Sequence, residues 1–497
     1  MSIVIVGFTS DDKVPGAYGE TKYGQGRISL GGLALVCLVA GNMLSAGSAT
    51  PDTEVYDIFD SDTAASLFGA RSEVRQMCDA ALEIEGVTLK AIGVTEVSGT
   101  NASLVATVGG SWSTDGDVTV YLAGKPFTVT ILSTDSTTQA AAKIDAKIAE
   151  DAALPITSSP AAAVLTWTVA NDGTRGNDYI AVKDLTSAPA GLTLTFSTGT
   201  ALNANAMAFG SGAGADDITN ALVTTETDQY DRIAFAQNDT TNADRLRDAV
   251  NSKAGPLKGL LEHFVFAKTR TLGAATSFSQ TDLNEYRGQV LWLENCETHP
   301  SVIAAQVAAL RSVTEGDNPN PDYDDIELPS VAAQKFKADW SDHSTQKTAL
   351  NVGVTPLKTG NDGKVRIVRA ITAHSLNGAT PDYRTLDVGE AVVPDRIRVE
   401  TALYWTSVFK AANPYVGPDP AGGKQPNDGV GTPTNWSAAV ISEVLRPAEA
   451  NNWIMDVDSN LPAAEYNVAA KRIMTAIPVV VRPHQHQIGI SVRQQAA

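Results

Sequence analysis

The sequence predicts a multidomain α/β (α+β) chain: a mixed α/β core, an inserted β-sandwich-like domain and a β-prone arm at each terminus. Three observations predict it. Between 231 and 312 short apolar runs alternate with helical patterns, which calls for mainly parallel strands joined by right-handed crossovers. Between 95 and 205 the chain is rich in Ser and Thr and has neither His nor Cys, and apolar and polar residues alternate between turn signals. Residues 2–8 and 477–492 are β-prone segments flanked by Pro or Gly.

The elements follow in order. After the 2–8 arm and a turn at Pro15-Gly16, residues 33–40 read as a buried strand. Strands at 55–59 and 87–94 enclose helices at 62–68 and 72–82, the second with Val74, Met77, Ala81 and Leu82 on one side. In the Ser/Thr-rich region, strands are expected at 118–122, 127–132, 164–169, 179–182 and 192–196, with one helix near 138–151. Strands at 233–236, 263–267 and 289–293 then alternate with helices at 243–252, 281–286 and 301–311, the last opened by Pro300. The acidic, Pro-broken loop 315–330 is expected to be exposed. Strands at 350–357 and 365–372 flank a turn at 360–363, and Pro394 is expected to open a helix to about 410. A Gly/Pro loop spans 413–433, with helices near 436–452 and 462–474 before the final strands 477–481 and 488–492. The division into domains is 1–94 with 206–350, then 95–205, then 351–497.

The chain has 497 residues, enough for about three domains. A formal charge of −19 argues against nucleic acid or an anionic membrane as a direct partner. The exception is the C-terminus, where Lys471, Arg472, Arg482 and Arg493 face no acid after residue 470. A basic tail on an acidic body suits docking on an acidic surface. Cys37, Cys78 and Cys296 are far apart, which fits buried thiols of a reducing compartment. No run approaches the ~18 apolar residues of a membrane span, and no conventional secretory signal is read, so synthesis in a cytoplasm is expected.

Motifs that carry chemistry are few. Residues 210–215 (GSGAGA) fit a dinucleotide fingerprint, but no strand precedes them and Asp216-Asp217 would repel phosphates. His484 and His486 lie two apart, as on one face of a strand, with no nearby third ligand. The acidic loop 317–327 has Pro319 and Pro321 where a calcium loop needs ligands and a glycine. Asp456, Asp458 and Asn460 alternate, but Leu461 stands where an EF-hand needs Gly. There is no HExxH and no GxSxG. The expectation is therefore no enzyme, no cofactor and no metal.

The two ends are more informative. Ile3, Val4, Ile5 and Val6 at one end, and Ile477, Val479, Val481, Ile488, Ile490 and Val492 at the other, can pair within one domain or add to a neighbour's sheet. Head-to-tail exchange of such arms generates rings or open helical arrays.

Three parts of the chain resemble a known family. Val14-Pro-Gly-Ala-Tyr-Gly-Glu20 resembles a P-G-x-Y-x-E arm, and Leu67-Phe-Gly with Ser72 and Met77 resembles an L-F-G-x-x-S region. Leu350-Asn-Val-Gly-Val-Thr-Pro-Leu357, Val365-Arg-Ile-Val-Arg-Ala-Ile-Thr372 and the segment from Tyr383 to Val388 resemble a G-V-T-P-L turn, a V-R-x-V-R-A-I-T strand and a Y-x-x-L-D-V segment. Together these are similar to the contractile-tail sheath family of myophages and R-type pyocins. The resemblance implies stacked hexameric rings of this chain around an inner tail tube protein, bounded by baseplate and tail terminator proteins. It implies arms woven between subunits, an outward-facing 95–205 domain, assembly in the host bacterial cytoplasm and a place in the virion tail. Arg446, Lys471 and Arg472 are candidate tube-facing residues on grounds of charge. Two alternatives come from other classes. One is an adhesin that binds through the 95–205 domain. The other is an enzyme with a polar pocket at the strand ends near 237–240 or 294–296.

Overall fold

The computed structural model describes residues 33–424 and 426–486. Among these the chain is mixed α/β and forms two compact units, one of 33–395 with 483–486 and one of 396–482. The N-terminal arm residues Ile3 to Val6, the 14–20 motif, and Ile488, Ile490 and Val492 lie outside the described residues.

The first unit is built on an eight-stranded sheet. Its order is Val365–Ile367, Thr355–Thr359, Gly288–Trp292, His263–Lys268, Arg232–Phe235, Val36–Asn42, Thr88–Val94, Tyr56–Ile58. The six inner strands run parallel, and the strand at each edge is antiparallel. Both faces are covered, and the strands show why. Cys37 and Val39 enter one core with Phe68, Val74, Met77 and Ile303; Leu38 and Ala40 enter the other with Ile218, Leu246 and Val250. The next strands do the same, with Val265 and Ala267 on one side and Phe264 and Phe266 on the other. A strand apolar at every position is what a doubly covered parallel sheet requires. Burial pushes the Cys37 and Cys296 thiols up to about 12, and all three cysteines are free and buried.

Helix Pro300–Asp317 lies across the sheet and carries a buried charge cluster. Arg311 Nε donates to Glu315 Oε1 at 2.6 Å, Arg232 pairs with the same carboxylate, and the Tyr323 hydroxyl donates to it at 2.8 Å. Burial alone would raise the Glu315 carboxyl, but the two guanidiniums outweigh it and hold it at about 2. This cluster corrects the expectation of an exposed 315–330 loop. The helix runs to Asp317, and Asn320, Tyr323 and Leu328 are buried because Tyr323 follows Glu315 inward.

Residues 101–208 form two antiparallel sheets, Leu192–Ser197, Asn101–Gly110, Val164–Asp172, Ile156–Ala161 and Thr200–Ala201, Ala206–Ala208, Ile180–Asp184, Gly116–Leu122, Lys125–Ile131. They enclose their own apolar core around Trp167, which meets Phe196 edge-on at 5.6 Å. Helix Thr137–Ala149 packs against it and is opened by a Ser136–Gln139 capping box. The strand Asn101–Gly110, unread in the sequence, pairs on both sides. The glycine-rich 210–214 segment closes the seam: Thr100 N donates to Ala213 O at 2.9 Å and Ser103 N to Gly210 O at 2.8 Å.

The second unit begins inside helix Val388–Tyr404. That helix starts six residues before Pro394, because Glu390 Oε2 accepts from Asp387 N at 3.0 Å and fixes the first turn. It continues through Trp405–Phe409 to Lys410–Ala412. A second helical run, Pro433–Val440 through Ile441–Leu445 to Arg446–Ala450, places Trp436 4.8 Å from the Phe409 ring. The helix expected at 462–474 is instead a hairpin, Ala463–Asn467 with Arg472–Ala476. Asn467 Oδ1 accepts from Ala470 N at 2.8 Å, Lys471 takes φ 50°, and Trp436 Nε1 donates to Thr475 Oγ1 at 2.7 Å. The alanines suggest a helix, but turn chemistry and docking on Trp436 override them. Likewise the helix expected at 281–286 lies earlier, over Leu272–Thr276 and Ser277–Leu283, ending at the left-handed Asn284. Residues 351–395, grouped in the sequence with the C-terminal domain, supply one edge of the large sheet. No described helix is long and apolar enough to cross a membrane.

Candidate functional site

Strand order reverses about Val36–Asn42, whose neighbours Thr88–Val94 and Arg232–Phe235 follow it in opposite directions across the sheet. The carboxyl ends of strands at such a reversal are where open α/β sheets bind ligands. Here that crevice is closed by a side chain from the sandwich. Arg175 Nη2 donates to Glu73 Oε1 at 2.6 Å and its Nη1 to Asn238 Oδ1 at 2.9 Å. Asn171 Oδ1 accepts from Glu73 N at 2.9 Å, adding to the Ser72 cap of helix Glu73–Leu82. His299, stacked on Tyr179 at 4.3 Å, puts Nε2 3.2 Å from Arg175 O. Lys268 donates to Asn238 O at 2.8 Å, and burial lowers its ammonium to about 8. Burial works to raise the Glu73 carboxyl, yet Arg175 and His299 hold it below the ordinary carboxylate range. Asp216 is pushed up by burial to about 6. Of the residues expected to line an enzyme pocket, 237–240 or 294–296, Gln237 and Asn238 are buried and spent on this packing, with Gln237 Nε2 donating to Asn42 Oδ1 at 2.6 Å, while Asp239 and Thr240 are exposed.

The second notable region is the edge of the sheet formed by Thr355–Thr359 and Val365–Ile367, where residues 350–388 interlock. Gly353 turns the chain at φ 72°, and a Cβ there would stand 2.7 Å from Ala373 O. Thr355 Oγ1 accepts from Ile371 N at 3.0 Å and donates to Ile371 O at 3.1 Å. Val368 N donates to Pro356 O at 3.0 Å, and Thr372 N to Leu386 O at 2.9 Å. Arg369 clamps Asp387 through two bonds of 2.7 and 2.8 Å. The turn, the 365–372 stretch and the 383–388 segment are therefore one knot.

The candidate tube-facing residues Arg446, Lys471 and Arg472 fall in the second unit, and all three are exposed. Arg446 is neutralised by Glu449 at 2.8 Å and by Asp458. Lys471 sits in the hairpin turn and Arg472 opens its second strand, and neither forms an ion pair among the described residues. The structure brings Lys471 and Arg472 together, with Arg446 on a separate element. Ile477, Val479 and Val481 are half-buried, and Val480–Val481 pairs antiparallel with Ile454–Met455 of the same chain.

No protein-family model and no curated protein sequence matches the chain. Solved sheath structures do. A sheath tail protein from Listeria innocua is similar at 12% identity, over 91% of this chain and 93% of that one, with a TM-score of 0.48. A sheath tail protein from Desulfitobacterium hafniense is similar at 12% identity, over 94% and 100%, with a TM-score of 0.46. The contracted helical sheath of the anti-feeding prophage is similar at 10% identity, over 97% and 100%, with a TM-score of 0.47.

Sequence reasoning missed the Glu73–Arg175–His299 cluster. A signal was present: Arg175 follows the Asn171-Asp-Gly turn in a region otherwise short of charge. Its partners lie 102 and 124 residues away, so nothing local could name them.

Proposed function

We propose that this chain is the structural subunit of a contractile tail sheath, polymerising as stacked hexameric rings around an inner tube and contracting to drive that tube through a target envelope. The observation that carries this reading is the knot at 350–388. The stretches with the most specific resemblance to the sheath signature meet through Thr355, Ile371, Thr372 and Arg369 in one packed edge. The filling of the strand-end crevice by Arg175 further favours a structural over a catalytic role. Baseplate, tube and terminator proteins would be the partners, with neither nucleic acid nor membrane contacted directly, and the virion tail the location. The sandwich would face outward. The terminal arms would join neighbouring sheets and keep the mesh connected while bodies re-pack into a lower-energy contracted lattice. Acidic bodies and basic tails would match between subunits.

Negative-stain electron microscopy of the purified full-length chain tests this. Hollow, cross-striated tubes of uniform width are expected; stable monomers at high concentration would refute the reading. Deleting residues 477–497 should leave soluble protein that does not polymerise, and long tubes from that deletion would overturn the role given to the arm.

A further inference from the structure

The acidic loop and the histidine pair, separated by some 160 residues, meet in the first unit. His486 Nδ1 lies 2.8 Å from Asp324 Oδ2, and His484 Nε2 lies 3.2 Å from Asn320 Oδ1. One ligand atom each from Asp322, Asp324 and His486 lie within 4.8 Å of one another. We propose that Asp322, Asp324 and His486 form a binding site for a borderline divalent cation of the Zn²⁺ class, which ties residues 483–486 to the 318–328 loop.

Four features support it. First, the donor set is one imidazole and two carboxylates, a set that Zn²⁺ accepts with a water in the fourth position. Ligand atoms around a tetrahedral Zn²⁺ stand about 3.4 Å apart, from metal–ligand distances of about 2.0–2.1 Å, so small side-chain movements close the site. Second, the carboxylates are pre-positioned. Asp322 Oδ1 accepts from Asp324 N at 3.0 Å, and the loop is pinned to the sheet by Asp325 N to Ile367 O and Leu328 N to Val365 O, both 2.9 Å. Third, an outer-shell carboxylate stands close to the imidazole. His486 Nε2 faces Asp387 Oδ2 at 3.5 Å, and Asp387 is itself clamped by Arg369. With Nδ1 on the metal, the ring proton moves to Nε2 and points at Asp387, the carboxylate–histidine–metal arrangement that fixes ring orientation and raises ligand basicity. Fourth, Asp324 Oδ1 and His486 Nε2 are buried atoms without a hydrogen-bond partner among the described residues. Nitrogen ligation favours Zn²⁺, Co²⁺ or Ni²⁺ over Ca²⁺ or Mg²⁺, which take oxygen ligands.

The test uses the full-length chain after chelator treatment. Calorimetric titration with Zn²⁺ should show one saturable site, and Co²⁺ should give the visible absorption bands of a four-coordinate ion. His486→Gln should weaken Zn²⁺ binding at least tenfold and abolish the Co²⁺ bands. Asp322 is exposed, so Asp322→Asn should fold normally and still lose at least tenfold. Asp387→Asn should lose about 10–100-fold through the outer shell. Absence of saturable Zn²⁺ binding overturns the site, as does binding indifferent to both His486→Gln and Asp322→Asn, or a preference for Ca²⁺ over Zn²⁺. The outcome is independent of whether the chain polymerises.

Discussion

Gly353 and Arg175 are the residues on which most depends, for opposite reasons. Gly353 is held at φ 72° with carbonyl oxygen of Ala373 2.7 Å from where a Cβ would be. Gly353→Ala should cost about 1–3 kcal/mol, read as a lowered urea midpoint with an unchanged m-value. Arg175 matters through charge, since its loss leaves the Glu73 carboxylate buried without its guanidinium partner. Arg175→Ala should cost about 3–5 kcal/mol, and Arg175→Ala with Glu73→Ala should cost much less than the two single changes summed. Additive single effects would show that the pair does not couple. The glycine was legible in the sequence as part of a G-V-T-P-L turn. Arg175 was not, because a charge gives no local sign that it is to be buried against a partner a hundred residues away.

At the scale of elements, patterning read correctly wherever burial and periodicity agree. The strands His263–Lys268 and Gly288–Trp292 are apolar runs between helices and sit inside the parallel sheet. The readings failed where turn or capping chemistry outweighs composition, as in the Ala463–Asn467 and Arg472–Ala476 hairpin and in the helix that begins before Pro394. Asn101–Gly110 was missed because its small Ala, Ser, Thr and Gly residues give a weak apolar signal, although Ala102, Leu104, Ala106 and Val108 alternate inward. The sandwich enters and leaves the sheet unit through adjacent strands, with Thr100 and Ala213 exchanging backbone bonds of 2.9 and 3.2 Å. Replacing 101–212 with a short Gly-rich link should therefore leave a sheet unit that still unfolds cooperatively. Aggregation, or loss of cooperative melting by circular dichroism, would show that the sheet depends on the sandwich. Within the sandwich, Trp167→Ala should cost about 3–5 kcal/mol, since the indole is fully buried.

At the scale of the molecule, stability should fall with acid in a defined window. Glu315 is held at about 2 in the fold, against about 4.3 in an unfolded chain, so the folded state binds fewer protons between those values. Its contribution is fully present above about pH 4.3 and is lost as pH falls towards 2. His263 acts in the same direction at higher pH. Burial lowers it to about 4, so the stability linked to its neutral form is lost as pH falls from about 6.5 to 4. The Asp216 carboxyl, raised to about 6, works the opposite way between about pH 6 and 3.9, so the His263 contribution is read as a difference: in urea unfolding His263→Gln should lose less stability than the unaltered chain as pH falls from about 6.5 to 4, and Glu315→Gln should flatten the limb below about pH 4.3. Equal pH dependence of His263→Gln and the unaltered chain between about pH 6.5 and 4 would contradict the His263 assignment, and a Glu315→Gln curve unchanged below about pH 4.3 would contradict that of Glu315. The sequence by itself determined the mixed α/β class, the doubly covered parallel strands, the sandwich pattern and the signature stretches, because each is written in local periodicity and turn chemistry. Tertiary structure alone decided which charges are buried together: Arg232, Arg311 and Glu315 behind the sheet, Glu73 with Arg175 at the strand ends, and Asp322, Asp324 and His486 at the loop. A charge finds its energy in a partner's position, and that position is set by how the chain closes, which no window of neighbouring residues records.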